Sequence, residues 1–199
     1  ETVDDLTWLD GGKRFLWTSE RDGWNHAYSV SRDGSDVRLL TPGAYDVLGV
    51  SSVDTKGGWL YFTASPDNPA QRYLYRARLD GTGRPVRLTP AGQAGVHAYN
   101  MSPNAAYALH NWSSFGQPWT TELVALTSHR ALRILVPNTQ LKERDAARRT
   151  GPAESLKEDT GGANGLMFGP DDRLYACQNA RRQIAAYSMD GQESVIVSD

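Results

Sequence analysis

Residues 28–34 read YSVSRDG, and residues 75–81 repeat the pattern as YRARLDG. Both stretches alternate apolar and polar residues, which is the period of a β-strand packed on one face. Both end in Asp-Gly, a dipeptide that favours a tight hairpin because its two residues tolerate positive φ. Tyr28 and Tyr75 are 47 residues apart, a spacing close to that of propeller blades. The pair of stretches therefore predicts a repeated antiparallel sheet.

The same rhythm continues through most of the chain and divides it into four units of four short strands. Asp-Gly recurs between the third and fourth strands at Asp33-Gly34, Asp80-Gly81 and Asp190-Gly191. Four-stranded antiparallel units rich in glycine and aromatic residues predict an all-β fold, a β-propeller built of four four-stranded antiparallel blades. The predicted strands, unit by unit, are 6–9, 14–19, 26–31 and 37–40; 47–53, 59–64, 73–79 and 86–89; 96–101, 106–112, 120–126 and 132–136; 165–168, 173–178, 183–188 and 194–197.

One segment interrupts the repeat and sets the domain organisation. Residues 137–161 hold many charges and few large apolar side chains, which predicts an exposed linker, with a short helix over Gln140–Arg149 that Gly151-Pro152 would stop. We therefore expect three blades in residues 1–136, a charged linker in 137–161 and a fourth blade in 162–199.

Composition excludes several classes of protein. The 199 residues carry 21 basic and 23 acidic side chains without a run of like charge, so no nucleic-acid footprint is present. No apolar stretch is long enough to span a bilayer, and the sequence starts at ETVDD without a signal-peptide pattern, as it would also do after cleavage of one. The single cysteine, Cys177, lies in the alternating run LYACQ, which predicts a packed and inert thiol.

Residues 1 to about 150 resemble the propeller domain of dipeptidyl peptidase IV, in the prolyl oligopeptidase class of serine peptidases. The resemblance is carried by FLWTSERDGWNHAYSVSRDGSDVRLLTPGAYDV (15–47), WLYFTASPDNPAQRYLYRARLDG (59–81) and VHAYNMSPNAAYALHNWSS (96–114). LRILVPNTQLKERDA (132–146) is similar to the segment that leaves the last blade. The resemblance implies a propeller that covers an active site and restricts access to short peptides, and a secreted or periplasmic location.

Residues 162–199 resemble a different family. GANGLMFGPDDRLYACQNARRQIAAYSMDGQESVIVSD is similar to an early blade of the gluconolactonase and senescence-marker-protein family of metal-dependent lactonases. That resemblance implies a divalent cation such as calcium bound by oxygen ligands. Asn164 is the one position that suggests a ligand, although an asparagine before glycine is also an ordinary turn residue. The chain as a whole would then join two propeller fragments.

The sequence lacks the nucleophile motif of a serine peptidase. The nucleophile of this class stands in Gly-x-Ser-x-Gly, which is absent from the sequence. Ser51, Ser113 and Ser114 are flanked by small residues but lie in or directly after predicted strands, with no sharp turn to raise a nucleophile. The family's paired glutamates have no counterpart, because the adjacent acidic pairs lie in predicted turns or in the linker. These pairs are Asp4-Asp5, Glu158-Asp159 and Asp171-Asp172.

The four histidines form no zinc motif. His26 could face Asp22 or Glu20 and so resemble an acid–base pair, but a structural role within a blade explains it better. The other three are His97, His110 and His129. The stretch SERDGWNHAYSVSRDG (19–34) is therefore interpreted as a blade in which Trp17, Trp24 and Tyr28 pack between sheets.

These observations predict a non-catalytic propeller module of peptidase origin, a scaffold for binding or for gating substrates, with no catalytic, cofactor or metal residues assigned. A fragment of a metal-dependent lactonase, and a chimeric or designed propeller without selected activity, remain alternatives. A peptide or small molecule in the central channel is the expected ligand. Four blades taken from larger rings would leave a half ring open, so we expect a homodimer that completes eight blades.

Overall fold

The computed structural model describes residues 6–126, 130–135, 163–178, 182–189 and 193–198. These residues form four sheets of four antiparallel strands each, in which the strands follow chain order across the sheet. Sheet 1 holds β1 (Thr7–Leu9), β2 (Arg14–Ser19), β3 (His26–Ser31) and β4 (Val37–Leu39); sheet 2 holds β5 (Val47–Asp54), β6 (Trp59–Ala64), β7 (Tyr73–Arg78) and β8 (Val86–Arg87); sheet 3 holds β9 (Val96–Met101), β10 (Tyr107–Ser114), β11 (Gln117–Ala125) and β12 (Arg130–Leu135); sheet 4 holds β13 (Ala163–Phe168), β14 (Leu174–Gln178), β15 (Gln183–Tyr187) and β16 (Glu193–Ser198).

The predicted all-β fold with four four-stranded units is confirmed, and most strand boundaries agree within two residues. The largest differences lie in sheet 3, where the central hairpin is longer than predicted because β10 extends to Ser114 and β11 begins at Gln117. A 3-10 turn at Asp10–Gly12 is the one short helical segment among the described elements. The predicted helix over residues 140–149 and the linker at 137–161 lie outside the described residues. In the part of the chain that is described, no helix combines the length and apolar character needed to cross a membrane.

The Asp-Gly hairpins of sheets 1 and 2 share one geometry. Gly34 N–H donates to the Ser31 carbonyl at 2.8 Å, and Gly81 N–H donates to the Arg78 carbonyl at 3.1 Å. Only the glycines take positive φ, at 76° and 78°, although the aspartates could tolerate it too. Each aspartate instead keeps an ordinary backbone conformation and caps the turn with its carboxylate. The third pair, Asp190-Gly191, lies outside the described residues.

In both sheet 1 and sheet 2, a threonine side chain accepts a hydrogen bond from the backbone of the third strand. The Thr41 hydroxyl accepts the N–H of Ala27 at 2.9 Å, and the Thr89 hydroxyl accepts the N–H of Leu74 at 2.9 Å. Both threonines precede a proline, which cannot donate to a sheet ladder. The threonine of the repeated Leu-Thr-Pro turn therefore accepts a backbone N–H of the third strand that the short fourth strand does not pair.

The chain divides into two compact units, Glu1–Ala98 and Tyr99–Asp199. The core of the first unit packs side chains of sheet 1 against those of sheet 2, among them Leu16, Leu60 and Phe62, each at 0% exposure. The core of the second unit joins Leu109 and Leu123 of sheet 3 to Leu174 and Tyr187 of sheet 4. Within each unit, apolar faces of two sheets therefore bury one another, as in neighbouring propeller blades.

Two predictions of burial are wrong. Trp24 is 41% exposed and lies in the loop between β2 and β3 rather than in a strand. Cys177 is exposed because Leu174 and Ala176 occupy the core-facing positions of β14 and leave the thiol on the opposite face, above Gly165. Tyr28 is buried as expected, whereas Trp17 is only half-buried.

Candidate functional site

The β2–β3 loop holds a carboxylate against a buried imidazole. Asp22 Oδ2 lies 2.8 Å from Nδ1 of His26, which is 2% exposed. The predicted pairing of these two residues is confirmed, whereas Glu20 is exposed. A neutral imidazole that donates from Nδ1 leaves Nε2 as an acceptor, and this Nε2 has no hydrogen-bond partner among the described residues.

Aromatic and cationic groups surround this pair. The Tyr45 ring meets the His26 ring edge to face at 5.8 Å between centroids. The Arg21 guanidinium lies over the Tyr28 ring, 5.6 Å from its centroid. The phenol oxygens of Tyr28 and Tyr45 are buried and make no hydrogen bond of regular geometry with described residues. The site is therefore a polar cluster bordered by the aromatic rings of Tyr28 and Tyr45.

The electrostatics keep Asp22 ionised. Partial burial would raise the pKa of the Asp22 carboxyl, but the interactions with His26, Tyr28 and the Trp24 N–H outweigh burial and lower it. Burial, together with the Asp22 charge, raises the pKa of Tyr28 to about 12. Burial also raises the pKa of Tyr45 to about 12. Near neutral pH the cluster therefore presents one carboxylate, 36% exposed, beside neutral phenols.

Sheet 2 carries different chemistry at the equivalent place. The register pairs Ser19 with His26 in sheet 1 and Ala64 with Tyr73 in sheet 2, so Tyr73 occupies the position of His26. There the guanidinium of Arg87 lies 3.5 Å from the centroid of the Tyr73 ring and 3.9 Å from Asp67 Oδ2. Neither Tyr45 nor Arg87 lies in a motif that the sequence makes recognisable, and the repetition of the loops is the only indication of their roles.

A cleft of about 190 Å³ opens between the turns of sheets 1 and 2, within the first unit. Three arginines line it, and each is already paired with a carboxylate. Arg14 and Arg38 bind Asp36 at 2.8 and 2.6 Å, and Arg78 binds Asp80 at 3.1 Å. The charges therefore compensate one another within the fold, which favours a structural role for this cleft.

The remaining candidate residues are not brought together as a catalytic group. Ser51 lies in β5, as predicted, and Ser113 and Ser114 lie at the end of β10, which extends two residues beyond the predicted strand. The buried rings of His97 and His110 pack against Tyr73 and Tyr99, at 5.6 and 4.3 Å between centroids. The acidic pair Asp171-Asp172 lies in a turn. Outside the described residues lie His129, Asp4-Asp5, Glu158-Asp159 and the side chain of Asn164. Within the described residues, no three His, Cys, Asp or Glu side chains are grouped to hold a metal ion.

Sequence comparisons find relatives among the dipeptidyl peptidases. Residues 1–119 match the family model "Dipeptidyl peptidase IV (DPP IV) N-terminal region". A probable dipeptidyl-aminopeptidase B of Emericella nidulans is 32% identical over 133 residues, which is 65% of this chain and 14% of that protein. The corresponding protein of Coccidioides posadasii is 35% identical over 108 residues, 53% of this chain and 12% of that protein.

Solved structures support the fold. The crystal structure of Porphyromonas gingivalis dipeptidyl peptidase 4 aligns with 96% of this chain and 25% of its own, with a TM-score of 0.59 and 21% identity. A putative dipeptidyl aminopeptidase IV from Bacteroides ovatus aligns with 66% of this chain and 21% of its own, with a TM-score of 0.56 and 20% identity. At these identities the likeness concerns the fold alone.

Four-stranded antiparallel sheets in chain order, similar in fold to these propellers, define the chain as a β-propeller protein. The family model covers more than half of the chain, so the chain belongs to the dipeptidyl peptidase IV N-terminal region family. It spans about one eighth of the length of the curated relatives named above.

Proposed function

We propose that this chain is a non-catalytic propeller module that binds or gates short peptides for a hydrolase domain lying outside these 199 residues. Membership of the dipeptidyl peptidase IV N-terminal region family supports the proposal. The names of the matched relatives describe aminopeptidases, and the chain corresponds to a small part of each. Because function resides in sites rather than folds, the proposal needs a site of its own.

The observation that carries the proposal is the Asp22 carboxylate. It is partly exposed, its pKa is lowered, and the buried His26 ring fixes its orientation at 2.8 Å. A fixed carboxylate that remains ionised can accept a charge-assisted hydrogen bond from the amino terminus of a peptide. The half-exposed Trp24 beside it offers an apolar surface for a peptide side chain.

The experiment is a titration of the ¹⁵N-labelled chain with the dipeptide Gly-Pro, followed by amide chemical shifts. We expect saturable shifts at residues 20–26, and much weaker shifts with N-acetylated Gly-Pro, which lacks the amino charge. The Asp22→Asn variant should lose the shifts. Glu20→Gln is the matched control, because Glu20 is an exposed acid of the same loop without the His26 contact.

Two outcomes would count against the proposal. Equal responses to the free and the acetylated peptide would show that Asp22 does not recognise an amino group. Shifts confined to another part of the chain would place peptide binding elsewhere. The lactonase-type alternative would instead require a divalent cation, so a thermal shift on addition of calcium separates the two assignments.

A further inference from the structure

The β2–β3 loop carries two opposite charges on consecutive residues, Arg21 and Asp22. In the part of the chain that the structure describes, the Arg21 guanidinium lies within ion-pair distance of no carboxylate. The Asp22 carboxylate contacts His26 instead, at 2.8 Å. A cation and an anion that stand side by side without pairing can each bind a separate charge of one ligand.

Both charges act on the ring of Tyr28. The Arg21 guanidinium lies over this ring, 5.6 Å from its centroid. Burial is the main reason why the pKa of Tyr28 rises to about 12; the Asp22 charge adds to the rise and the Arg21 charge opposes it. A guanidinium over an aromatic ring can still donate two parallel hydrogen bonds from its edge to a carboxylate. Arg21 is therefore available to a ligand that carries a carboxylate.

Hydrogen bonds hold the loop on both sides of Asp22. The Gly23 N–H donates to the Glu20 carbonyl at 2.9 Å, and Gly23 takes a φ of +97° that few other residues adopt. The Trp24 N–H donates to Oδ1 of Asp22 at 3.4 Å. Because the turn is already formed, a ligand that binds Arg21 and Asp22 together orders little further backbone.

The closeness of the two charges limits the length of the ligand. A dipeptide spans at most about 7 Å, and each further residue adds about 3.5 Å. Consecutive charged residues at one ring therefore match the shorter ligand. Hydrolysis of a peptide bond adds one water and leaves a carboxylate on the acyl side and an amine on the other. A longer peptide has an uncharged amide where a free dipeptide has this carboxylate, so a guanidinium distinguishes the two.

We propose that the β2–β3 loop binds free dipeptides as zwitterions, with Asp22 accepting hydrogen bonds from the amino group and Arg21 donating to the terminal carboxylate. This inference rests on the proposed function, in which Asp22 binds the amino terminus of a short peptide. It makes Arg21 the residue that selects the ligand by its other end. The reaction that supplies such a ligand is the hydrolysis of the second peptide bond of a longer peptide, so the loop holds a product of cleavage rather than the intact substrate.

The test compares three peptides by amide chemical-shift titration of the ¹⁵N-labelled chain: Gly-Pro, Gly-Pro amide and Gly-Pro-Gly. The amide keeps the amino charge and lacks the carboxylate, whereas the tripeptide carries its carboxylate about 3.5 Å further away. We expect Gly-Pro to bind about threefold to fivefold more tightly than either, which is the range for an exposed ion pair. In the Arg21→Gln variant this difference should disappear.

Arg32→Gln is the matched control. Arg32 is also an exposed arginine over an aromatic ring, 5.9 Å from the centroid of Trp8, but it lies outside the β2–β3 loop. This variant should keep the wild-type preference for Gly-Pro. Because Arg21 is exposed, the Arg21→Gln variant should fold normally, and unchanged amide shifts outside the loop would show this.

Four results would overturn the inference. Equal affinities for Gly-Pro and its amide, with acetylated Gly-Pro bound weakly, would remove the role of Arg21 and leave the proposed function intact. Gly-Pro-Gly bound as tightly as Gly-Pro would contradict the selection of dipeptides. An Arg21→Gln variant that still prefers the free carboxylate would assign this contact to another residue. Absence of shifts with every peptide would refute the proposed function together with this inference.

Discussion

Replacement of Tyr75 by alanine is expected to lower the free energy of unfolding of the first unit by about 3–4 kcal/mol. Tyr75 is 7% exposed and belongs to the core between sheets 1 and 2. Its ring stacks on Phe62 at 5.7 Å and on Tyr45 at 6.4 Å between centroids. The variant therefore removes a side chain that contacts both other rings of the stack.

The magnitude follows from the area that alanine would not bury. About 150 Å² of ring surface at about 25 cal/mol per Å² gives about 3.8 kcal/mol. Loss of stacking adds about 1 kcal/mol, and relaxation of neighbouring side chains into the cavity recovers a similar amount. The result lies within the range of about 3–5 kcal/mol typical of large aromatic residues replaced by alanine in a core.

Urea denaturation followed by tryptophan fluorescence measures this loss, with the midpoint shifted and the slope unchanged. Tyr75→Phe is the control, because it keeps the ring and should cost less than about 1.5 kcal/mol. Trp17→Ala should cost less than Tyr75→Ala, since Trp17 is only half-buried. A Tyr75→Ala midpoint equal to that of wild type would refute the assignment of Tyr75 to the core.

Three further outcomes are expected. The chain should not hydrolyse Gly-Pro or Ala-Pro chromogenic substrates, because Gly-x-Ser-x-Gly is absent; turnover blocked by a serine-directed phosphonate would contradict this. Asp80→Asn should flatten the fall of the thermal midpoint in acid, because hydrogen bonds from the Thr82 hydroxyl and N–H and from Arg78 lower the pKa of Asp80 to about 2. The ionised group therefore contributes stability above its ordinary pKa of about 3.9, and this contribution is lost as the pH falls through about 2. Wild-type and variant midpoints that fall in parallel between these values would show that Asp80 plays no part. Calcium at about 1 mM should leave the thermal midpoint unchanged, whereas a rise would favour a lactonase-type cation site.

The candidate site was predictable only where its residues are close in the sequence. Asp22 and His26 are four residues apart in one loop, so their pairing could be proposed from spacing. Tyr45 comes from the segment between β4 and β5 and meets the His26 ring of sheet 1, whereas Arg87 of β8 meets Tyr73 of β7 within sheet 2. These two contacts join residues far apart in the sequence, so no local pattern identified them.

The sequence by itself determined the strands, the hairpins and their fourfold repetition, because alternation of apolar residues and Asp-Gly turns act over a few residues. Tertiary structure alone decided which side chains are buried. Trp24 and Cys177 carry apolar side chains in patterns that predicted packing, yet both are exposed. Burial depends on whether another sheet covers a given face, and that contact joins residues far apart in the chain.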